Sequence, residues 1–215
     1  MAKSLVNPST TWFGKAGDKV YTKLFGYQIE RQYAKPSNPR TEKQQLTRAR
    51  FNLLVQLATI FSTAANIGLK RVAYNGKMFP ANKFVSLNYP NVTGTTPDNV
   101  SIDPSKIVTA DGNLTGVVFS STIGTSTPGT ITMTVTDVNA GIGNASDEDN
   151  IYCFAYCPDA GNGVLSAPAR RTDGATLSVR YPNSWSGLEV HVYGFVVNSE
   201  NRASRSEYVG HAELG

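Results

Sequence analysis

The spacing of apolar and polar residues changes period along the chain, and each period predicts a different element. Lys19–Leu24 and Tyr27–Tyr33 flank Phe25-Gly26. In the second run Tyr27, Ile29, Arg31 and Tyr33 alternate with Gln28, Glu30 and Gln32. Period-two alternation around a glycine turn predicts a β-hairpin. Ser4–Thr11 has no periodicity, contains Pro8 and reads as an extended arm. From Thr41 the period becomes helical: Leu46, Ala49, Leu53, Leu57, Ile60, Ala64 and Ile67 form one stripe, widened by Phe51, Leu54, Val55, Ala58, Phe61 and Ala65. Thr41 with Gln44 makes a capping box, and Gly68 suits a left-handed C′ position, so one long helix is expected over 41–68.

Beyond Asn82 the chain reads as strands: Phe84–Asn88, Lys106–Thr109, Gly116–Ser120, Thr130–Asp137, Asn150–Cys157, Gly163–Ala169, Ala175–Arg180, Leu188–Val197 and Ser204–Gly210. Turn-rich clusters separate them, the pattern of a sandwich. In Leu188–Val197 the alternation places Leu188, Val190, Val192 and Val196 inward, with Glu189, His191, Tyr193 and Phe195 outward. The fold class is therefore mainly β: a basic arm and hairpin over 1–40, a long α-helix over 41–68, and an antiparallel β-sandwich over 80–215.

The helix changes the picture because no charge occurs from Phe51 to Leu69. Its polar face is Asn52, Gln56, Thr59, Thr63 and Asn66. A solvated helix face normally carries Lys or Glu, so Phe51, Asn52, Gln56, Thr59, Thr63 and Asn66 are expected to be covered by the chain's own sandwich or by neighbouring subunits. The amides and hydroxyls argue against a membrane span.

Charge adds an asymmetry. Residues 1–77 carry 13 Lys/Arg against 3 acids, net +10, while residues 78–215 carry 7 against 13, net −6. The basic residues Lys15, Lys19, Lys23, Arg31, Arg40, Lys43, Arg48 and Arg50, interleaved with Trp12, Phe13, Tyr21 and Tyr33, suit an acidic protein surface or a nucleic acid. The acidic remainder of a neighbouring copy is itself such a surface.

Candidate chemistry is sparse. Only His191 and His211 could serve a nucleophile–base arrangement, and His191 reads as a surface or interface histidine. Gly14–Lys19 fails the phosphate-loop spacing. Asp147-Glu148-Asp149-Asn150 lacks calcium-loop spacing and reads as an acidic loop tip. Cys153 and Cys157, four apart on one strand, would lie roughly 13 Å apart, too far for a disulfide. No catalytic residue, metal site or cofactor is expected, and no signal-peptide-like run follows Met1.

Two stretches carry a resemblance. Gly14-Lys15-x-Gly17-x-x-Val20, Asn38-Pro39-Arg40-Thr41-x-x-Gln44 and Arg48-x-x-Phe51 at one end, and Trp185-x-Gly187, His191-Val192-Tyr193-x-Phe195 and Ser204-x-Ser206-x-Tyr208-Val209-Gly210 at the other, resemble an uncharacterised Bacteroidetes family of unknown function. The resemblance implies a protein without catalytic signatures, in a family sometimes found in phage or prophage settings. The closing segment Tyr193–Tyr208 also resembles the last hairpin of fibronectin type III or immunoglobulin-like sandwiches, which is fold analogy alone. Together these readings predict a non-enzymatic assembly protein. The leading form is a phage virion component of capsid, portal or tail, located in the virion or in the host cytoplasm before assembly, and held by homo-oligomeric or multi-protein contacts without a membrane. The alternatives are nucleic-acid binding through the basic segment and carbohydrate binding through Tyr193 and Phe195.

Overall fold

The computed structural model describes residues 2–5, 12–35, 40–172 and 176–215, and divides into two compact units, residues 1–41 and 42–215. Each is described by itself.

The first unit is a four-stranded antiparallel sheet in the order β1 (Ala2–Leu5), β4 (Tyr27–Gln32), β3 (Lys19–Leu24), β2 (Gly14–Ala16). The predicted hairpin is β3 and β4. Its two-residue turn has φ of 49° at Phe25 and 79° at Gly26, the paired left-handed conformation that matches the twist of a hairpin. The beginning of the expected arm is β1, paired in register with β4. Most of that arm, and the Pro36–Pro39 turn, lie outside the described residues.

The second unit has three layers, besides a short two-stranded ladder of β5 (Val92–Thr93) and β6 (Ser101–Ile102). One sheet runs β10 (Asn162–Leu165), β9 (Asn150–Cys157), β13 (Glu189–Val197), β14 (Glu207–Glu213), with β11 (Ala169–Arg170) also on β9. The other runs β12 (Thr176–Arg180), β8 (Thr130–Asp137), β7 (Val118–Thr127). Between them lies an aliphatic core in which Ile131, Met133, Ile151, Cys153, Val190, Val192, Leu177 and Val179 are all buried. This bears out the mainly β, antiparallel-sandwich reading. Both thiols, Cys153 and Cys157, are free and buried on β9, and burial pushes Cys153 well above the ordinary thiol range.

The outer face of the larger sheet is a second core. Tyr193 and Phe195, expected to point outward, do leave the sandwich interior, but they are buried under helices rather than wet. The helices are α1 (Glu42–Ile60), α2 (Ser62–Gly68), α3 (Lys70–Asn75) and α4 (Pro80–Asn88). Phe61 is the hub of this layer, its ring 5.4 Å from Phe84, 4.8 Å from Phe154, 5.0 Å from Tyr156 and 5.5 Å from Tyr193. Burying such a ring stabilises by about 1.5–3 kcal/mol from area alone. This corrects the carbohydrate reading at its root, because aromatics sealed under α1 and α2 offer no stacking platform.

Three further expectations change. The helical segment 41–68 is not straight: α1 and α2 meet at an angle of 81°. At the joint Phe61 has φ −83° and ψ 8°, off helical values, where its ring turns into the aromatic cluster. Gly68 does not adopt a left-handed φ. A Cβ on it would stand 2.4 Å from the Cβ of Ala110, so glycine is there for close approach. Phe84–Asn88, read as a strand, is the end of α4, which starts with Pro80 at its first turn, where a missing N–H costs nothing. Asn88 is fully buried yet satisfied: its Nδ2 donates to the carbonyls of Phe84 and Val108 at 2.9 Å, and its Oδ1 accepts from Val108 N at 2.8 Å.

Candidate functional site

Among the described residues the sequence-predicted ones are distributed over two surfaces. The first is the small sheet. Cross-strand partners place Lys15, Val20, Thr22, Leu24, Tyr27, Ile29 and Arg31 on one face, and Lys19, Tyr21, Lys23, Gln28, Glu30 and Gln32 on the other. On the second face Lys19 pairs with Glu30 at 2.6 Å, an exposed ion pair whose hydrogen bond raises the lysine pKa. There too Trp12 lies 6.4 Å from Tyr21 and accepts a hydrogen bond from Gln28 Nε2 through its carbonyl. The first face carries no carboxylate among the described residues. Its centre is apolar, and Lys15 Nζ lies 3.9 Å from the centre of the Tyr33 ring.

Among the described residues none of this sheet's side chains is buried, and Trp12 and Phe13 are 64% and 69% exposed. Fixing each backbone residue costs about 1–2 kcal/mol in conformational entropy. With none of its described side chains buried, the sheet has little to set against that cost until something covers it.

The second surface is the outer side of α1. Leu54, Leu57 and Ala58 face the chain's own aromatic layer, so the stripe centres one residue away from the predicted one. Phe51 is 54% and Val55 42% exposed, beside exposed Asn52, Gln56 and Thr59. Thr47, Arg48, Phe51, Asn52 and Val55 line a groove of about 490 Å³. Thr63 and Asn66 are exposed on α2, beyond the bend, so the six predicted interface residues do not share one straight face. No single described helix is long and apolar enough to cross a membrane.

The basic residues also separate. Lys15, Lys23, Arg31 and Arg40 are exposed in the first unit, and Lys43 and Arg48 on the first turns of α1. Arg50 leaves the set: its Nη2 donates to the Gly94 carbonyl at 2.7 Å and its Nε is buried, so it ties α1 to a loop of its own unit.

Sequence reasoning missed a polar cluster at one end of the larger sheet. His191 and His211 are cross-strand partners on β13 and β14, with rings 6.0 Å apart. His191 Nδ1 and Tyr208 Oη are 3.0 Å apart, while Glu189 Oε1 lies 4.0 Å from His191 Nε2 and 3.8 Å from His211 Nε2. Burial lowers the His191 pKa, with Glu189 opposing, and burial raises the Tyr208 phenol. The Tyr208 hydroxyl thus bridges the two rings, 3.0 Å from His191 Nδ1 and 3.5 Å from His211 Nδ1. The signal available in sequence was the register of the last two strands. Among the described residues no group of three or more His, Cys, Asp or Glu is arranged to hold a metal ion.

A buried arginine was missed as well. Arg171 and Asp149 pair at 3.2 Å with side chains 0% and 2% exposed. The guanidinium also donates to the carbonyls of Thr115 and Val138, and Asp149 Oδ2 accepts from Ser146 N. The acidic loop tip is thus anchored from inside, with Glu148 held by Arg170 at 3.0 Å.

No curated protein and no solved structure matches the chain. A family model matches residues 11–210, nearly the whole chain, and the protein belongs to that family, DUF6266, a family of unknown function.

Proposed function

We propose that this protein is a non-enzymatic assembly component of the virion (capsid, portal or tail) of a bacteriophage infecting Bacteroidetes, held in place by contacts of its N-terminal sheet and of α1 with neighbouring subunits. The observation that carries the reading is the small sheet: a basic four-stranded unit in which none of the described side chains is buried is built to be completed by a partner. The open apolar side of α1, where Phe51 and Val55 are exposed, supports it. Sedimentation of the full chain over a concentration series is the test. Concentration-dependent species larger than one chain, with slowed amide exchange in β3 and β4, are expected; a monomer throughout with fast exchange in those strands overturns the reading. Portal or terminase genes beside its own would support the virion form, and their absence would leave a non-viral assembly.

A second reading has its own observation. Trp12 and Phe13 are exposed in a unit carrying 7 Lys/Arg against 2 acids, a stacking and charge pattern that suits single-stranded nucleic acid. Binding to an oligonucleotide that falls steeply between low and moderate salt is its signature, and no binding at low salt removes it.

A further inference from the structure

We infer that Asn162 is a site of self-modification: the backbone nitrogen of Gly163 attacks its side-chain amide, ammonia leaves, and aspartate or isoaspartate remains in the β9–β10 hairpin. The chain contains two Asn-Gly pairs, Asn75-Gly76 and Asn162-Gly163. Glycine after asparagine opens the way to Cγ, because no Cβ stands beside the attacking nitrogen. Sequence treats the two pairs alike, and both asparagines are exposed. The fold separates them. Gly76 caps α3, and its N–H donates to the Val72 carbonyl at 3.1 Å, a bond that attack on Asn75 must first break.

Gly163 is placed otherwise. Its strand, β10, ends the sheet order, with β9 on one side. Just past β10, Ser166 N donates to the Cys153 carbonyl at 2.8 Å, and bonded pairs in an antiparallel ladder recur at every second residue. In this register Asn162–Cys157 is a bonded pair and Gly163–Tyr156 is not, so the Gly163 N–H points out of the open edge. There it donates to Asn162 Oδ1 at 2.7 Å. The carbon one bond behind that oxygen, Cγ, is then within the roughly 3–3.5 Å of a near-attack arrangement, and the hydrogen bond polarises the carbonyl to be attacked. The glycine is fixed by packing as well: a Cβ on it would stand 2.2 Å from Phe154 Cζ, so the close approach that excludes other residues also keeps the reactive pair.

The covalent steps need only water. The Gly163 nitrogen gives up its proton to solvent and bonds to Asn162 Cγ; the Cγ–Nδ2 bond breaks, and Nδ2 takes up a proton and leaves as ammonia. Water then opens the cyclic imide at either carbonyl, giving aspartate or isoaspartate. Each product adds a negative charge to the hairpin. Isoaspartate also adds a backbone carbon ahead of Gly163, which disturbs the register of β10 against β9.

Peptide mass mapping of the full-length protein, aged at neutral pH in its folded state and in concentrated urea, tests this. The expected result is a gain of one mass unit in the peptide holding Asn162, with isoaspartate detected there by enzymatic methylation. In the folded chain it should accumulate roughly tenfold or more faster than the same change at Asn75. In urea the two rates should converge, because only the fold distinguishes the pairs. Asn162→Gln, at an exposed position, should remove the gain at that site and leave the slow one at Asn75, since the longer side chain closes a less favourable ring. No gain at Asn162, a gain at Asn75 as fast or faster in the folded protein, or a ratio that urea leaves unchanged would overturn the inference.

Discussion

The two units solve the same problem, covering the face of an antiparallel sheet, in opposite ways. The larger sheet of the second unit is covered twice. Its inner face meets β7, β8 and β12 through small and branched aliphatics; its outer face meets α1, α2 and α4 through aromatics gathered around Phe61. Strand β9 shows the consequence in one line, Ile151, Cys153, Ala155 and Cys157 on one side and Tyr152, Phe154 and Tyr156 on the other. The N-terminal sheet has comparable alternation and no buried side chain among its described residues. Alternation alone fixes which residues share a face; whether the face is finished depends on what the rest of the chain, or another chain, lays over it.

Two substitutions should show how complete the second unit is, and both are expected to cost the most. Arg171→Met removes the cation from a buried pair and strands Asp149 together with the Thr115 and Val138 carbonyls. A loss of about 3–5 kcal/mol is expected in the urea unfolding of the second unit. Phe61→Ala empties the centre of the aromatic layer and should cost about 3–5 kcal/mol by the same measurement. If either left the midpoint unmoved, the helical layer or the loop anchor would not be part of the cooperative unit. In the N-terminal sheet no single truncation should approach these values: Ile29→Ala should reduce assembly by sedimentation and leave the main unfolding midpoint where it was.

Gly68→Ala tests a smaller effect and carries a sign. Helix propensity alone favours alanine by about 0.8–1.0 kcal/mol. The new methyl would meet Ala110 at 2.4 Å in a fully packed contact, and overpacking costs about 1–3 kcal/mol. Net destabilisation in thermal unfolding is expected; stabilisation would mean that the segment around Ala110 yields easily.

Strand positions were legible where period two was regular. Thr130–Asp137 and Asn150–Cys157 coincide with β8 and β9, and Lys19–Leu24 with β3. The helical layer was legible as a helix and not as a layer. Its amphipathic stripe was visible, but the bend at Phe61 is imposed by rings from Phe84, Phe154, Tyr156 and Tyr193, distant in sequence. Phe84–Asn88 was misread because five residues of a buried helix and of a buried strand look alike, and Pro80, four residues earlier, was the cue. Outward Tyr193 and Phe195 had the right face and the wrong environment: period gives direction, never what stands opposite. The Arg171–Asp149 pair and the His191–His211 pair depend on register between separate strands and loops, which composition does not encode.

The smallest expected effect lies at that histidine pair and asks whether the rim of the sheet is as settled as its centre. Burial lowers the pKa of His191 in the folded protein below its ordinary value near 6.5. Between the two values the unfolded chain binds more protons than the folded one, so stability must rise with pH across that window and fall on acidification through it. His211 on β14 adds like-charge repulsion once both rings are protonated, while Glu189, and more distantly Asp103, oppose it. The unfolding midpoint should therefore drop from pH 7 to pH 5, and His191→Gln should flatten that slope, because glutamine can keep a hydrogen bond to Tyr208 without titrating. An unchanged slope in the variant would assign the acid sensitivity to carboxylates elsewhere and leave the His191–Tyr208 contact a neutral fixture of the sheet.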